Sequence, residues 1–211
     1  MRYHFCKWSS DGSLQRVWQQ RIVTIKNELD LSHLNLDGSH SLTKKGGEQV
    51  AYQHRQRAKT CNILPITERH GFVIATTAII AGNHQDAFEL KSQLATAFKG
   101  MKRPGLKLAG AFFNADSAFD TQSARRVCFN HSIIPNMAEN RRNRQQVKRG
   151  RKRLFNAELY QQRFTSERTF AWIDKFRALL LRFDCKAVYF LGGHHLAYTL
   201  INLRHVLAQK G

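Results

Sequence analysis

From Leu106 to Ala115 the chain is apolar nearly throughout, closed by Pro104-Gly105 on one side and by the polar stretch Asn114 to Asp116 on the other. A short apolar run bounded in this way suits a central strand buried on both faces, and such strands belong to sheets covered by helices on both sides. The segments around it supply the rest of an α/β order. Leu31 to Leu42 reads as a strand with Leu34 and Leu36 on one side and His33, Asn35 and Asp37 on the other. Thr60 to Ile66 and Phe72 to Ala81 read as two strands joined by a tight turn at His70-Gly71.

Helical spacing accounts for most of what remains. Val17, Trp18, Ile22 and Ile25 predict a helix over Gln15 to Glu28, and Phe88, Leu90, Leu94 and Phe98 predict one over Asp86 to Phe98 with Asp86 as its cap. Thr121 to Phe129 is a further helix and Ile133-Ile134 a short strand. Phe170, Ile173, Phe176, Leu180 and Phe183 fall three or four apart, which predicts the longest helix over Glu158 to Phe183. Ala187 to Leu207 is the last helix, with Gly192-Gly193 as a break or a close-packing point. The expected fold is a mixed sheet flanked by helices, within the size of one domain and a small appendage.

Charge sets the partner. The chain carries 34 Lys and Arg against 15 Asp and Glu, a formal charge of +19, which strains a compact monomer unless something anionic neutralises it. Nucleic acid is the expected counter-charge. A membrane surface is disfavoured, because no stretch approaches about 18 uninterrupted apolar residues and no basic amphipathic helix stands out. Arg141 to Arg153 holds eight Lys or Arg and no acid: Arg141, Arg142, Arg144, Lys148, Arg149, Arg151, Lys152 and Arg153. That composition predicts a mobile loop over 139–156 that tracks phosphates, the alternative being a solvated linker. Cys6, Cys61, Cys128 and Cys185 lie far apart without metal-ligand spacing, so they are expected to be buried thiols in a reducing cytoplasm.

Three carboxylates stand out. Asp37 lies in a strand-like segment and Asp116 ends a strand too apolar to accept a charge without a partner. Glu167 precedes Phe170 by three residues, so the helical period turns it inward with the apolar stripe. Each has a plainer explanation as well: an Asp-Gly turn at Asp37-Gly38, a helix N-cap at Asp116, and a salt bridge from Glu167 to Arg163. Together, three acids in a basic chain match what a two-metal phosphoryl-transfer site requires, since oxygen ligands suit Mg²⁺ or Mn²⁺ held about 4 Å apart.

Tyr160-Gln-Gln-Arg163-Phe-Thr-Ser-Glu167 resembles the Tyr-x-x-Arg-x-x-x-Glu signature of bacterial insertion-sequence transposases of the DDE superfamily, in particular the insertion-sequence-five-like branch. Leu36-Asp37-Gly-Ser-His40 is similar to the family's first-aspartate motif and Asn114-Ala-Asp116-Ser-Ala-Phe119-Asp120 to its second. Ile134-Pro135 with Asn140-Arg141-Arg142-Asn143 resembles the downstream loop. The resemblance runs from about Tyr3 to Leu203. It implies a ribonuclease-H-like fold in which Asp37, Asp116 and Glu167 are catalytic and bind two Mg²⁺ or Mn²⁺ ions. It also implies that Tyr160 and Arg163 contact DNA at the element's end. The family's lysine falls where this chain has Asp174; Lys175 is the nearest candidate, with a plain surface lysine as the alternative.

The implied activity is metal-dependent cleavage and strand transfer of double-stranded DNA, at element ends and target, by a homodimer in the nucleoid. Members of the family carry a helical DNA-binding segment before the region that Tyr3 to Trp18 resembles. Residues 1–30 are therefore expected to be a remnant of that region and 31–211 the catalytic domain. A separate N-terminal reading-frame product, a truncated copy, or dependence on a partner for end recognition are the options. The competing function classes are a non-catalytic DNA-binding remnant and a ribosome-associated basic protein.

Overall fold

The computed structural model describes residues 2–85, 87–139 and 154–209. Two helices open the chain, α1 (Arg2–Ser10) and α2 (Ser13–Ile25). Seven strands follow: β1 (His33–Leu36), β2 (Ser39–Thr43), β3 (Ala51–Gln53), β4 (Ala58–Ile63), β5 (Pro65–Glu68), β6 (Val73–Thr76) and β7 (Ile80–Ala81). Then come α3 (Leu90–Lys102), β8 (Phe112–Ala115), a 3-10 turn (Ser117–Phe119), α4 (Gln122–Asn130) and β9 (Ile134–Met137). The chain ends with α5 (Ala157–Gln161), α6 (Phe164–Ile173), α7 (Arg177–Leu180), β10 (Leu181–Arg182) and α8 (Ala187–Gln209).

The main sheet has the order β6-β5-β1-β8-β9. Its first three strands are antiparallel, and β8 and β9 join β1 in parallel through helical crossovers. This is a mixed sheet flanked by helices, as the sequence led one to expect. A second sheet, β10-β2-β4-β3 with β7 on β4, extends from it. Leu36 faces Ile66 in the first sheet and Ser39 faces Ile63 in the second, so the register passes unbroken through Asp37-Gly38. The expected single strand from Leu31 to Leu42 is therefore one strand bent at Asp37, not two with an insertion between them.

Packing follows from the apolar periods. Trp18, Ile22 and Ile25 of α2 share one core with Leu34 and Leu36 of β1, Leu94 and Phe98 of α3, and Phe113 of β8. The edge strand β6 is sealed by side chains from the helices. The Val73 amide donates to Asn202 Oδ1 at 3.0 Å, and the Val73 carbonyl accepts from Asn202 Nδ2 at 3.0 Å and Trp18 Nε1 at 3.1 Å. These bonds occupy the amide and carbonyl of Val73, so that end of the edge is closed to pairing with another chain. Gly192 proves to be a close-packing point and not a break, since a Cβ there would overlap Ser9 of α1.

Several expectations need correction. Only Phe112–Ala115 of the apolar run is strand, because Gly110 takes a left-handed φ of 81° and interrupts the extended backbone. The helix expected from Asp86 starts at Leu90, behind a left-handed Glu89; Asp86 lies outside the described residues. The long helix expected over 158–183 is three short helices and a strand. Its breaks fall at Gln162-Arg163 and at Asp174–Phe176. Beyond α7 the buried Arg182 donates to the carbonyls of Asp184, Glu48 and Cys185, pinning Leu181–Arg182 into the second sheet. The cysteines are free, but Cys185 is exposed and Cys6 half-buried. No helix among the described residues is long and apolar enough to cross a membrane. The basic positions Arg141 to Arg153 lie outside the described residues.

Candidate active site

Leu36 pairs with Ala115 in parallel, and each is followed by an aspartate. Asp37 and Asp116 thus stand side by side where two neighbouring parallel strands end, the position at which open α/β sheets gather ligands. Local hydrogen bonds orient both: Asp37 Oδ1 accepts from the Gly38 amide at 2.9 Å, and Asp116 Oδ1 accepts from the Ser117 amide at 2.6 Å. Asp116 caps the 3-10 turn Ser117–Phe119, whereas the helix expected to follow it, α4, is capped by Thr121; the bond to Ser117 leaves the other Asp116 carboxylate oxygen free of it.

Two short helices carry the remaining residues to this corner. The chain turns between α5 and α6 at Gln162-Arg163, so Tyr160 and Arg163 face the aspartates from adjoining helix ends. Tyr160 donates its hydroxyl to Asp116 Oδ1 at 3.4 Å. Arg163 Nη1 lies 3.5 Å from Asp37 Oδ2, and its guanidinium sits 5.4 Å from the Tyr160 ring centre. Below them, Thr169 of α6 donates to the Gly71 carbonyl at 3.0 Å and Arg168 to the His70 carbonyl at 2.9 Å, docking α6 on the β5–β6 turn. A left-handed Gly71 (φ 96°) makes room, since a Cβ there would stand 2.9 Å from Thr169 Oγ1.

Glu167 occupies the first turn of α6, where a carboxylate is favoured by the helix dipole. Its side chain is exposed rather than turned into the core. The buried stripe of α6 is Thr165, Ser166, Thr169 and Ile173, because the helix restarts at Arg163 and does not continue the phase of the preceding turn. Glu167 remains within electrostatic reach of Asp37. Burial raises the Asp37 carboxyl above its ordinary pKa; the Gly38 amide and Arg163 oppose this, while Asp116 and Glu167 add to it. Burial likewise raises the Tyr160 phenol, so it is a proton donor at neutral pH.

The donor chemistry, two neighbouring aspartates with Glu167 within electrostatic reach of Asp37, suits a hard divalent cation, which would relieve the repulsion felt by Asp37. Among the described residues no three His, Cys, Asp or Glu side chains are drawn into one coordination sphere. Lys175 is exposed and lines a cavity of about 200 Å³ with Trp172, Phe176, Leu200, Ile201 and Arg204. Asp174 instead lines an open cleft of about 530 Å³ that begins at Gly38-Ser39-His40 and continues past Gln53, Arg55 and His84.

One pair at the site's edge was not expected from sequence. Asp120 accepts from Arg125 Nε at 2.6 Å in a nearly buried ion pair, and Arg125 Nη2 donates to the Met137 carbonyl at 3.0 Å. The spacing of five residues, with Thr121 capping α4 between them, is the signal that could have shown it.

The profile of a family described as the transposase DDE domain matches residues 28–200. No curated protein matches the chain. Among solved structures, the Mos1 transposase paired-end complex with left transposon end is 12% identical, with 89% of this chain and 62% of that one covered and a TM-score of 0.37. A pre-cleavage Mos1 transpososome is 11% identical, with 90% and 62% covered and a TM-score of 0.39. A Mos1 mariner paired end complex with Mn is 12% identical, with 89% and 62% covered and a TM-score of 0.37. The chain therefore spans less than two thirds of the length of those transposases. With the match extending from before β1 into α8, and so across both aspartates and the turn that bears Tyr160, Arg163 and Glu167, this chain belongs to the transposase DDE domain family.

Proposed function

We propose that this domain cuts and rejoins double-stranded DNA as the transposase of an insertion sequence, in the insertion-sequence-five-like branch, with Asp37, Asp116 and Glu167 as metal ligands. The observation that carries the reading is the in-register parallel pairing of β1 with β8, which ends in two adjacent carboxylates bridged from above by Tyr160 and Arg163.

Asp37, Asp116 and Glu167 would be the residues that hold Mg²⁺ or Mn²⁺. Two such ions, when bound, supply an activated attacking oxygen and charge stabilisation at the leaving one. Arg163 offers a planar fork to the scissile phosphate, and Tyr160 a ring for an end nucleotide and a hydroxyl that holds Asp116. The chemistry is two in-line displacements at phosphorus. Water attacks first, forming a new P–O bond as the 3′-oxygen of the element's end leaves with a proton. That freed 3′-hydroxyl then attacks a target phosphodiester, giving up its proton as the new P–O bond forms, and the target's own 3′-oxygen departs and takes up a proton. The basic positions from Arg141 to Arg153 and the overall charge of +19 supply sequence-independent affinity for DNA. A homodimer on DNA in the nucleoid completes the proposal.

A second reading, a non-catalytic DNA-binding remnant, draws on the open arrangement of the three acids. Nicking and strand transfer on DNA carrying the element's ends, with Mg²⁺ and with chelator, separate the two. Asp116→Asn keeps the oxygen that caps Ser117 and should fold, yet lose about 10²–10³-fold in rate. Equal rates in wild type and variant would remove the catalytic assignment.

A further inference from the structure

Three asparagines stand in register across the parallel strands: Asn35 pairs with Asn114, and Asn114 with Asn136. All three are buried, and Asn35 and Asn114 lie two residues before the aspartates. Their carboxamides form a continuous row. Asn136 Nδ2 donates to Asn114 Oδ1 at 2.7 Å, and Asn114 Nδ2 donates to Asn35 Oδ1 at 2.8 Å.

The row also grips backbone outside the sheet. Asn136 Oδ1 accepts from the Asn156 amide at 2.7 Å while its Nδ2 donates to the Asn156 carbonyl at 2.9 Å. Asn114 Nδ2 donates a second time, to the Leu159 carbonyl at 3.0 Å, and Asn156 Oδ1 caps α5 by accepting from the Leu159 amide at 3.0 Å. Because a backbone N–H only donates and a carbonyl only accepts, Asn156 fixes which way the Asn136 carboxamide points, and each amide along the row is then fixed in turn. At the far end Asn35 Nδ2 has no partner among the described residues, nor has Oγ1 of Thr67, its register neighbour on β5. A buried row that ends unsatisfied is a poor device for stability alone.

We propose that Asn114 and Asn136 are positioning residues: from the two strands beside the catalytic corner they clamp the backbone of α5, and so set Tyr160 and Arg163 against Asp116 and Asp37. The clamp acts at Asn156 and Leu159, immediately before Tyr160. Without it, α5 is held by five residues of its own, too few for an independent helix. The functional half of this inference rests on the transposase reading above; the structural half does not.

Two variants test it. Asn136→Leu keeps the shape and removes both bonds to residue 156. Asn156→Ala removes only the cap and preserves the fold if the first variant does not assemble. Amide hydrogen exchange should quicken about tenfold over 157–161 in each, with β1 and β8 unchanged. Mg²⁺-dependent cleavage should lose about tenfold or more in kcat, with the KM for DNA within about twofold. Unchanged exchange in α5 would show that something else holds it, and faster exchange with unaltered kcat would show that its placement does not matter; either overturns the proposal. If wild-type protein cleaves no DNA while α5 loosens as expected, the clamp stands and the catalytic reading fails.

Discussion

Arg163 holds its guanidinium 3.5 Å from the carboxylate of Asp37 and 5.4 Å from the centre of the Tyr160 ring, joining the bend in the first strand to residues more than a hundred positions later. With both side chains only about a quarter exposed, at 23% and 28%, the contact is partly desolvated and directional. An arginine so placed would compete with a divalent cation for Asp37, and it would also offer a planar fork to a phosphate that enters the corner.

Those two roles separate under substitution. Arg163→Gln removes the competing charge, so the Mg²⁺ concentration at half-maximal cleavage should fall, while kcat falls about 10–100-fold for want of a phosphate contact. Cleavage rates across a Mg²⁺ titration give both quantities. A higher Mg²⁺ midpoint would show that Arg163 supports cation binding rather than competing with it.

Asp120 and Arg125 make a different kind of ion pair, with side chains 3% and 10% exposed. Removing one partner of a pair at this depth leaves the other charge stranded. Asp120→Asn should therefore cost about 3 kcal/mol in denaturant unfolding, although Arg125 keeps its bond to the Met137 carbonyl. By contrast, Arg16 and Asp11 lie 3.9 Å apart in the open, and Arg16→Gln should change nothing measurable. A small loss at Asp120 would mean that Arg125 is satisfied by backbone alone.

Much of the corner was legible in the sequence. Polar residues that close an apolar strand mark where a charge can stand, which is how Asp116 is found, and an aspartate before a glycine marks the bend at Asp37. The helical stripe from Phe170 to Phe183 misled, because short helices broken at Arg163 and Phe176 present the same apolar spacing as one long helix. The chain leaves helix at Leu181 through tertiary bonds made by Arg182, which no local pattern reveals. The asparagine row was illegible for another reason: asparagine reads locally as a turn former, and its register with two other strands exists only once they pair.

Glycine offers a stability contrast between two helices. Gly100 lies within α3 with open space for 4 Å around the position a Cβ would take, whereas a Cβ at Gly192 in α8 would overlap Ser9. Gly100→Ala should stabilise by about 0.5–1 kcal/mol through reduced freedom of the unfolded chain. Gly192→Ala should destabilise by about 1–3 kcal/mol as α1 is forced off α8. Urea unfolding of both variants decides it, and a stabilising Gly192→Ala would mean that α1 moves at little cost.

Acid should weaken the fold through its buried histidines. Burial lowers His194 to about 3, and His195 and His205 to about 4, so all three are neutral in the folded chain down to those values. The unfolded chain takes up their protons near pH 6.5, so stability falls as pH drops from about 7 toward 4. Glu68 opposes this. Burial raises it to about 7 against three backbone amides, and the folded chain gains relative stability as the pH falls from about 7 to its unfolded value near 4.5. Three histidines against one glutamate give a net loss on acidification. His194 contributes most directly, since neither ring nitrogen has a hydrogen-bond partner among the described residues. His194→Leu should remove about 2 kcal/mol of the stability difference between pH 7 and pH 5. Urea midpoints at the two pH values measure it, and an undiminished difference in the variant would place the acid sensitivity elsewhere.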